Sequence, residues 1–249
     1  MRIVVIGGTG LIGSKLVTKL GEHGHEAVAA APNTGVNTLT GEGLAEVMQG
    51  ASVVVDVSNS PSFEDAAVLE FFTTSTRNLL AAGREAGVGH HVALSVVGSE
   101  RRPDIGYFRA KIAQEQLIRE SSIPFSIVHA TQFFEFARRI ADEATTGDEV
   151  HIAPVAFQPI AGDDVARYVG RTAVGTPLNR TIEIAGPTRY RMDEFFREAL
   201  ATWGDARRVV TDPHAHYFGA EPDESTLVPG DGAVLGEITY KDWLQASGA

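Results

Sequence analysis

Tyr107 and Lys111 stand four positions apart in the segment Gly106-Tyr-Phe-Arg-Ala-Lys-Ile-Ala-Gln-Glu115. On a helix that spacing puts both side chains on one face. A phenol that titrates at about 10 is a poor acid–base group at neutral pH, and a compact ammonium beside it lowers that value. The pair therefore has the chemistry of a proton-transfer site. Five tyrosines and four lysines in 249 residues would produce only about 0.08 such spacings by chance. Arginine outnumbers lysine 17 to 4, so Lys111 is a lysine where surface preference would have supplied arginine. The competing readings are a Tyr107 ring packed on the sheet and a solvated Lys111.

A second constellation is Gly7-Gly-Thr-Gly-Leu-Ile-Gly13, placed directly after an apolar run and before a helical pattern. Gly7 allows a tight turn, Gly10 lets the backbone approach a pyrophosphate, and Gly13 permits close packing of helix on strand. Thr9, Leu11 and Ile12 complete a cradle whose backbone N–H groups can hold an anion. Such a dinucleotide site uses a carboxylate roughly 20 residues further on to hold the ribose of NAD. Here the corresponding stretch, Ala29-Ala-Ala-Pro-Asn-Thr34, has no acid. Asn33 and Thr34 are neutral groups that suit a 2′-phosphate, so NADP(H) is favoured slightly over NAD(H). Asn59 and Ser60, in the polar loop Val57-Ser-Asn-Ser-Pro-Ser-Phe63, are further contact candidates. The same loop also suits helix capping, with Ser62 as N-cap.

These residues need a frame. Apolar, β-branched runs at 2–6, 27–31, 52–57, 91–96 and 125–129 alternate with helical patterns. The pattern at 11–22 has apolar Ile12, Leu16, Val17 and Leu20, and that at 63–86 has Ala67, Phe71, Leu79 and Leu80. Strands apolar on both faces and separated by helices imply a doubly wound parallel sheet, an α/β fold. Asp104 is a plausible cap for the helix carrying Tyr107, and Pro124 closes that helix. Ser95, at the carboxyl end of the fourth strand, would open onto the ligand crevice of such a sheet. Beyond residue 130 the alternation loosens into strands at 157–161 and 181–185 and helices at 164–174 and 192–203. This gives residues 1–155 as the dinucleotide-binding domain. Residues 156–249 add further sheet and helix elements and a small C-terminal substrate lobe. The aromatic run Gln132-Phe-Phe-Glu-Phe136 reads as core packing before pocket lining.

Composition narrows the function classes. With 43% hydrophobic and 21% charged residues, the chain is globular. A net charge of -11 without a basic block argues against nucleic acid as a partner. The absence of cysteine removes disulfides, thiolate catalysis and Cys-ligated metals, so redox chemistry requires a bound cofactor. Neither His214 with His216 nor His90 with His91 has a nearby carboxylate at ligand spacing, apart from Asp212, or a third histidine, so no metal is expected, and Arg101-Arg102 reads as a solvated pair. The apolar start, residues 3–6, is too short for a signal sequence and no run is long enough to span a bilayer. The expectation is a cytoplasmic protein, monomer or homodimer, with a small-molecule substrate and no membrane partner.

The glycine turn, Ser95 and the segment 106–115 together resemble the short-chain dehydrogenase/reductase superfamily, in its atypical NmrA-like branch related to isoflavone reductases. Ser122-Ile-Pro-Phe-Ser-Ile-Val128, Thr131-Gln-Phe-Phe134 and Gln158-Pro-Ile-Ala-Gly-Asp-Asp-Val-Ala166 are similar to later segments of that branch, extending the likeness over about residues 1–190. The resemblance implies a Rossmann fold and an NAD(P)H-dependent oxidoreductase that reduces a small carbonyl, a quinone or a conjugated double bond. It assigns proton transfer at the substrate to Tyr107, binding of the nicotinamide ribose to Lys111, and a hydrogen bond to the substrate oxygen to Ser95. Two other readings stand beside it: a non-catalytic NADP(H)-sensing regulatory protein, and a sugar-nucleotide epimerase or dehydratase.

Overall fold

The computed structural model describes residues 1–247. Contacts divide them into two interleaved units rather than at a single boundary. The first comprises Met1–Val96, Gly106–His129 and Val165–Ile182, and the second Val97–Ile105, Ala130–Asp164 and Glu183 onward.

In the first unit the expected alternation holds: β1 (Arg2–Ile6), α1 (Leu11–Glu22), β2 (Glu26–Ala30), a short α2 (Leu44–Met48), β3 (Val53–Asp56), α3 (Asp65–Glu85), β4 (His90–Val96), α4 (Gly106–Glu120) and β5 (Phe125–Ala130). The second unit holds α5 (Ala137–Glu143), β6 (Thr145–Thr146), β7 (Glu149–Ile152) and β8 (Ala156–Phe157). Next come α6 (Gly162–Val174) and β9 (Thr181–Ala185), within which the chain changes unit, then β10 (Tyr190–Arg191), α7 (Met192–Thr202), β11 (Arg208–Thr211), β12 (Val234–Leu235) and α8 (Tyr240–Ser247). The seven-stranded sheet has the order β12-β9-β5-β4-β3-β1-β2. The pairings of β1 with β2 and with β3, and of β3 with β4, are parallel. This is the doubly wound α/β architecture expected, with the crossover order that places β1 and β4 on either side of β3. Smaller sheets, β10-β8 and β11-β7-β6, belong to the second unit; the strand expected at 157–161 is shortened to β8, Ala156–Phe157, and the other four strands were not read from the sequence.

The β1 and β3 side chains are buried on both faces, as their Val and Ile runs require, and β4 is mostly buried, its His90 and His91 included. Val4, Ile6, Val54, Leu44, Met48 and Leu79 pack into one cluster of this unit. In α1 the buried stripe is Ile12, Gly13, Leu16 and Leu20. In α3 it is Val68, Phe72, Ser75, Thr76, Leu79 and Gly83, one residue out of phase with the expected Ala67 and Phe71. The second unit has its own aromatic core of Phe134, Phe157, Phe195, Phe196 and Tyr240, so Phe134 of the 132–136 run is a core residue. Arg101 and Arg102 are not a solvated pair. Arg101 donates to the Val228 carbonyl, and Arg102 to Asp104 and the Glu221 carbonyl, all within the second unit. Among the described residues no helix is long and apolar enough to cross a membrane.

Packing at the first turn leaves no room for a side chain at Gly13. A Cβ there would stand 2.1 Å from the Gly7 carbonyl oxygen and 2.7 Å from the Gly8 Cα, both backbone atoms. Gly13→Ala should therefore lower stability by about 2–3 kcal/mol and the melting temperature by about 5–10 °C, read by differential scanning calorimetry. A melting temperature unchanged from the parent would contradict the packing role.

Candidate functional site

The glycine turn joins β1 to α1. Gly7 has φ +75°, and a Cβ on it would stand 2.9 Å from the Ser58 backbone, so glycine is required there. Gly10 is the N-cap of α1, with no side chain bonded across the cap and no acid in the first turn. The backbone N–H groups of Leu11, Ile12 and Gly13 begin the helix, where an anion is favoured. A Cβ on Gly10 would meet one atom, the Gly7 carbonyl oxygen at 3.3 Å. The cradle therefore fits a dinucleotide's pyrophosphate. Thr9 reaches the turn after β2, its Oγ1 donating to Asn33 Oδ1 at 3.0 Å. Thr34 differs from expectation: its hydroxyl accepts from the Ala31 N–H and faces the Ala29 and Ala31 carbonyls, so it closes its own turn and is not presented to a phosphate. Asn33, which is exposed, remains the polar contact candidate there.

The Tyr107 and Lys111 side chains project from one face of α4 toward the ring of Phe72 on α3. The Lys111 Nζ lies 4.2 Å from the Phe72 ring centroid, and the Tyr107 ring meets it edge-on at 5.9 Å. Phe63 lies 5.8 Å from Tyr107. α4 begins at Gly106, two residues later than the expected cap, and the Asp104 carboxylate accepts from Arg102 instead. The phenol of Tyr107 donates to Asn59 Oδ1 at 3.1 Å, and that oxygen also accepts from the Ser60 N–H at 3.0 Å. Ser60 Oγ accepts from the Ser62 N–H, and Ser62 Oγ from the Glu64 N–H; Glu64, not Ser62, is the N-cap of α3.

Lys111 is only 2% exposed. Its Nζ donates to the Leu94 carbonyl at 2.9 Å and to Gln114 Oε1. Burial drives the ammonium down to about 8, against the opposing pull of Asp56 and Glu115, which favour the charged form. The expected depression of the phenol does not occur: burial pushes Tyr107 above the ordinary tyrosine range. The physical reason is direct, since the ring is packed among Phe63, Phe72 and Phe108, which takes the phenol out of water.

Behind this pair lie buried groups that sequence reasoning missed. Gln114 Nε2 donates to Asp56 Oδ2 at 2.9 Å, and Asp56 Oδ1 accepts from the Ser58 N–H at 3.0 Å and its hydroxyl at 2.6 Å. Glu115 is fully buried, its Oε1 accepting from Ser95 Oγ at 2.6 Å and His129 Nε2 at 2.8 Å and its Oε2 from Arg119 at 2.8 Å. Burial alone would raise Glu115; the His129 bond, with Ser95 and Arg119, reverses this and holds the carboxyl below its usual range. Ser95 thus spends its one proton on Glu115 and has none for a substrate oxygen. Signals for these groups existed: an acid ending the apolar run 53–56, and a glutamate four residues beyond Lys111 on the same helix face.

The chain is similar to known NAD(P)-binding proteins. A family model described as NAD(P)H-binding matches residues 7–173. The photosystem II assembly factor Ycf39 of Cyanophora paradoxa is 23% identical over 86% of this chain and 73% of its own length. The chloroplastic divinyl chlorophyllide a 8-vinyl-reductase of Cucumis sativus is 25% identical over 75% of this chain and 53% of its own. The solved structure of MoeE5 in complex with UDP-glucose and NAD covers all of both chains with a TM-score of 0.78 at 17% identity, a likeness of fold. The matched segment takes in the glycine turn, Tyr107 and Lys111, and the chain belongs to the NAD(P)H-binding family.

Proposed function

We propose that this protein is an NAD(P)H-dependent reductase of a small carbonyl, quinone or conjugated double bond, with Lys111 and Tyr107 as its working pair. The observation that carries the reading is a buried lysine, hydrogen-bonded to Leu94 and Gln114, that shares the Phe72 ring with a tyrosine one turn earlier. The glycine cradle would hold the pyrophosphate, and Lys111 and Asn59 the nicotinamide-side hydroxyls. A bound reduced nicotinamide supplies the hydride. Tyr107 would supply the proton: its phenol is protonated at neutral pH, and although burial makes it a weaker acid in the free protein, the atom that gains the hydride's electrons becomes basic enough to take the proton. With its proton on Glu115, Ser95 is proposed to brace the lower part of the site rather than to bind substrate. The vinyl-reductase relative supports the conjugated double bond as one substrate class. Asn33, a neutral group at the turn after β2, supports NADPH over NADH.

A second reading has one observation in its favour. The assembly-factor relative, together with a phenol shifted away from neutrality, fits an NADP(H)-sensing regulatory protein. Oxidation of NADPH over a panel of aldehydes, quinones and vinyl compounds separates the two, since a sensor binds the cofactor without consuming it.

Three outcomes are expected. Tyr107→Phe should cut turnover by about 100-fold or more with cofactor affinity within a few-fold of the parent, whereas Lys111→Ala should lose both; steady-state kinetics and cofactor titration read these, and full turnover in Tyr107→Phe overturns the proton-donor role. Gly10→Ala should fold normally, since its Cβ meets a single atom, yet bind NADPH about ten-fold or more weakly in a fluorescence titration. The Michaelis constant for NADPH should lie below that for NADH, and the reverse order would remove Asn33 as the basis of the preference.

A further inference from the structure

Two of the most deeply buried polar groups near Lys111 have no part in the reaction just described. Asp56 and Gln114 are each 1% exposed, one at the end of β3 and the other one turn beyond Lys111 on α4. We propose that Asp56 and Gln114 are positioning residues for Lys111, the carboxylate fixing the orientation of the amide and the amide oxygen holding the ammonium. The inference rests on the reading of Lys111 as a working residue of the site.

The orientation follows from donor and acceptor chemistry. A carboxamide has one acceptor end and one donor end. Gln114 stands between a carboxylate, which only accepts, and an ammonium, which only donates. With Nε2 toward Asp56 Oδ2 and Oε1 toward Lys111 Nζ, both contacts are hydrogen bonds. The flipped amide would set N–H against ammonium and oxygen against carboxylate, so both would be repulsive. The charge on Asp56 therefore selects one rotamer of Gln114, and Ser58 clamps the carboxylate from its other oxygen. The result is a chain from β3 through a neutral amide to the ammonium. It gives Lys111 the attraction of a carboxylate without direct contact, which would neutralise the charge that a cofactor hydroxyl has to meet.

The groups facing Lys111 come from four elements: Asp56 from β3, the Phe72 face from α3, the Leu94 carbonyl from β4, and Gln114 and Glu115 from α4. His91 of β4 interacts with the same Asp56 charge, but burial lowers it to about 4, so it is neutral at working pH and adds no charge. Of the two carboxylates that favour the ammonium, Asp56 has the larger effect, and Glu115 is already bonded to His129, Ser95 and Arg119.

The test follows Lys111 itself. The full-length chain has four lysines, at 15, 19, 111 and 241, so NMR of side-chain-labelled lysine resolves few signals, and Lys111→Ala identifies the one of interest. In the parent the Lys111 signal should titrate near 8. Asp56→Asn removes the negative charge and Gln114→Met the acceptor, and each should shift that titration down by about one pH unit, a ten-fold change in proton affinity. The alkaline limb of the kcat profile for NADPH oxidation should move by the same amount, which loss of packing alone would not produce. An unmoved Lys111 titration in both folded variants overturns the proposal. Should neither variant fold, the parent decides: a held ammonium gives Nζ proton signals protected from exchange below its pKa, and their absence overturns it equally. The underlying reading is judged apart, because Lys111→Ala with full turnover and cofactor affinity would sink that reading whatever the titration shows.

Discussion

An ammonium group removed from water must be given something in return. Lys111 is almost wholly buried, and the cost of stripping an isolated cation of its hydration is several kcal/mol even after relaxation. Much of the first unit's local design answers that cost. β4 must run as far as Leu94 in the right register for its carbonyl to point at Nζ. β3 must end in an acid, and α3 must turn Phe72 rather than its neighbour Phe71 toward the site, so that a ring face lies against the charge. α4 must place an amide and a carboxylate three and four residues beyond the lysine, on the face the lysine occupies. Each of these is a statement about element length or phase, and each fails if the element slips by one residue.

The charges balance in two linked sets, both anchored on α4. In one, the Asp56 carboxylate reaches the Lys111 ammonium through Gln114. In the other, Glu115 takes bonds from Ser95, His129 and the partly exposed Arg119, which leads its charge outward toward solvent. The first set is the more enclosed. Its polarity is kept in register by buried hydrogen bonds, each electrostatically stronger than it would be in solution. Tyr107 stands at the margin of that enclosure. It shares Phe72 with Lys111 but donates to Asn59 at the loop after β3, so the two members of the sequence motif belong to different hydrogen-bond systems joined by an aromatic ring.

How far the sequence revealed this depends on how local each signal is. The glycine turn was legible because its meaning lies within seven consecutive residues, and β9 was found with its observed ends, Thr181–Ala185, because Gly186-Pro187 terminates it. The Tyr107–Lys111 pair was legible because helical spacing is a local property. The period of α3 was correct and its phase was not: Phe71 and Phe72 are adjacent aromatics, and the buried stripe continues through Ser75 and Thr76, which a reading of apolar residues passes over. Asp56, Glu115 and His129 escaped because their partners come from other elements of the fold, and Ser95, read as a substrate contact, was misassigned for the same reason, its hydroxyl being taken by Glu115. The short strands of the second unit escaped because runs of two to four residues, such as Tyr190–Arg191, have no period to detect. Thr34 was misjudged for a related reason, since a hydroxyl facing a ligand and one closing its own turn look alike in sequence.

Buried charge networks add little to the stability of a fold, because well-packed apolar residues of similar volume serve equally or better. Replacing Asp56, Gln114 and Lys111 with leucine and methionine would cost the sheet nothing that hydrophobic packing could not supply. Stability therefore does not explain why this triad occupies the interior. The lowered ammonium pKa of Lys111 points the same way. A lysine serving only to cement the core would be most favourable with its charge fully matched, yet burial outweighs its partners and leaves it near 8, within reach of physiological pH. A cation held at that balance is stable enough to persist and weakly enough satisfied to gain from one more acceptor, and a hydroxyl of a bound dinucleotide is the acceptor that the glycine cradle of the same unit would bring to it.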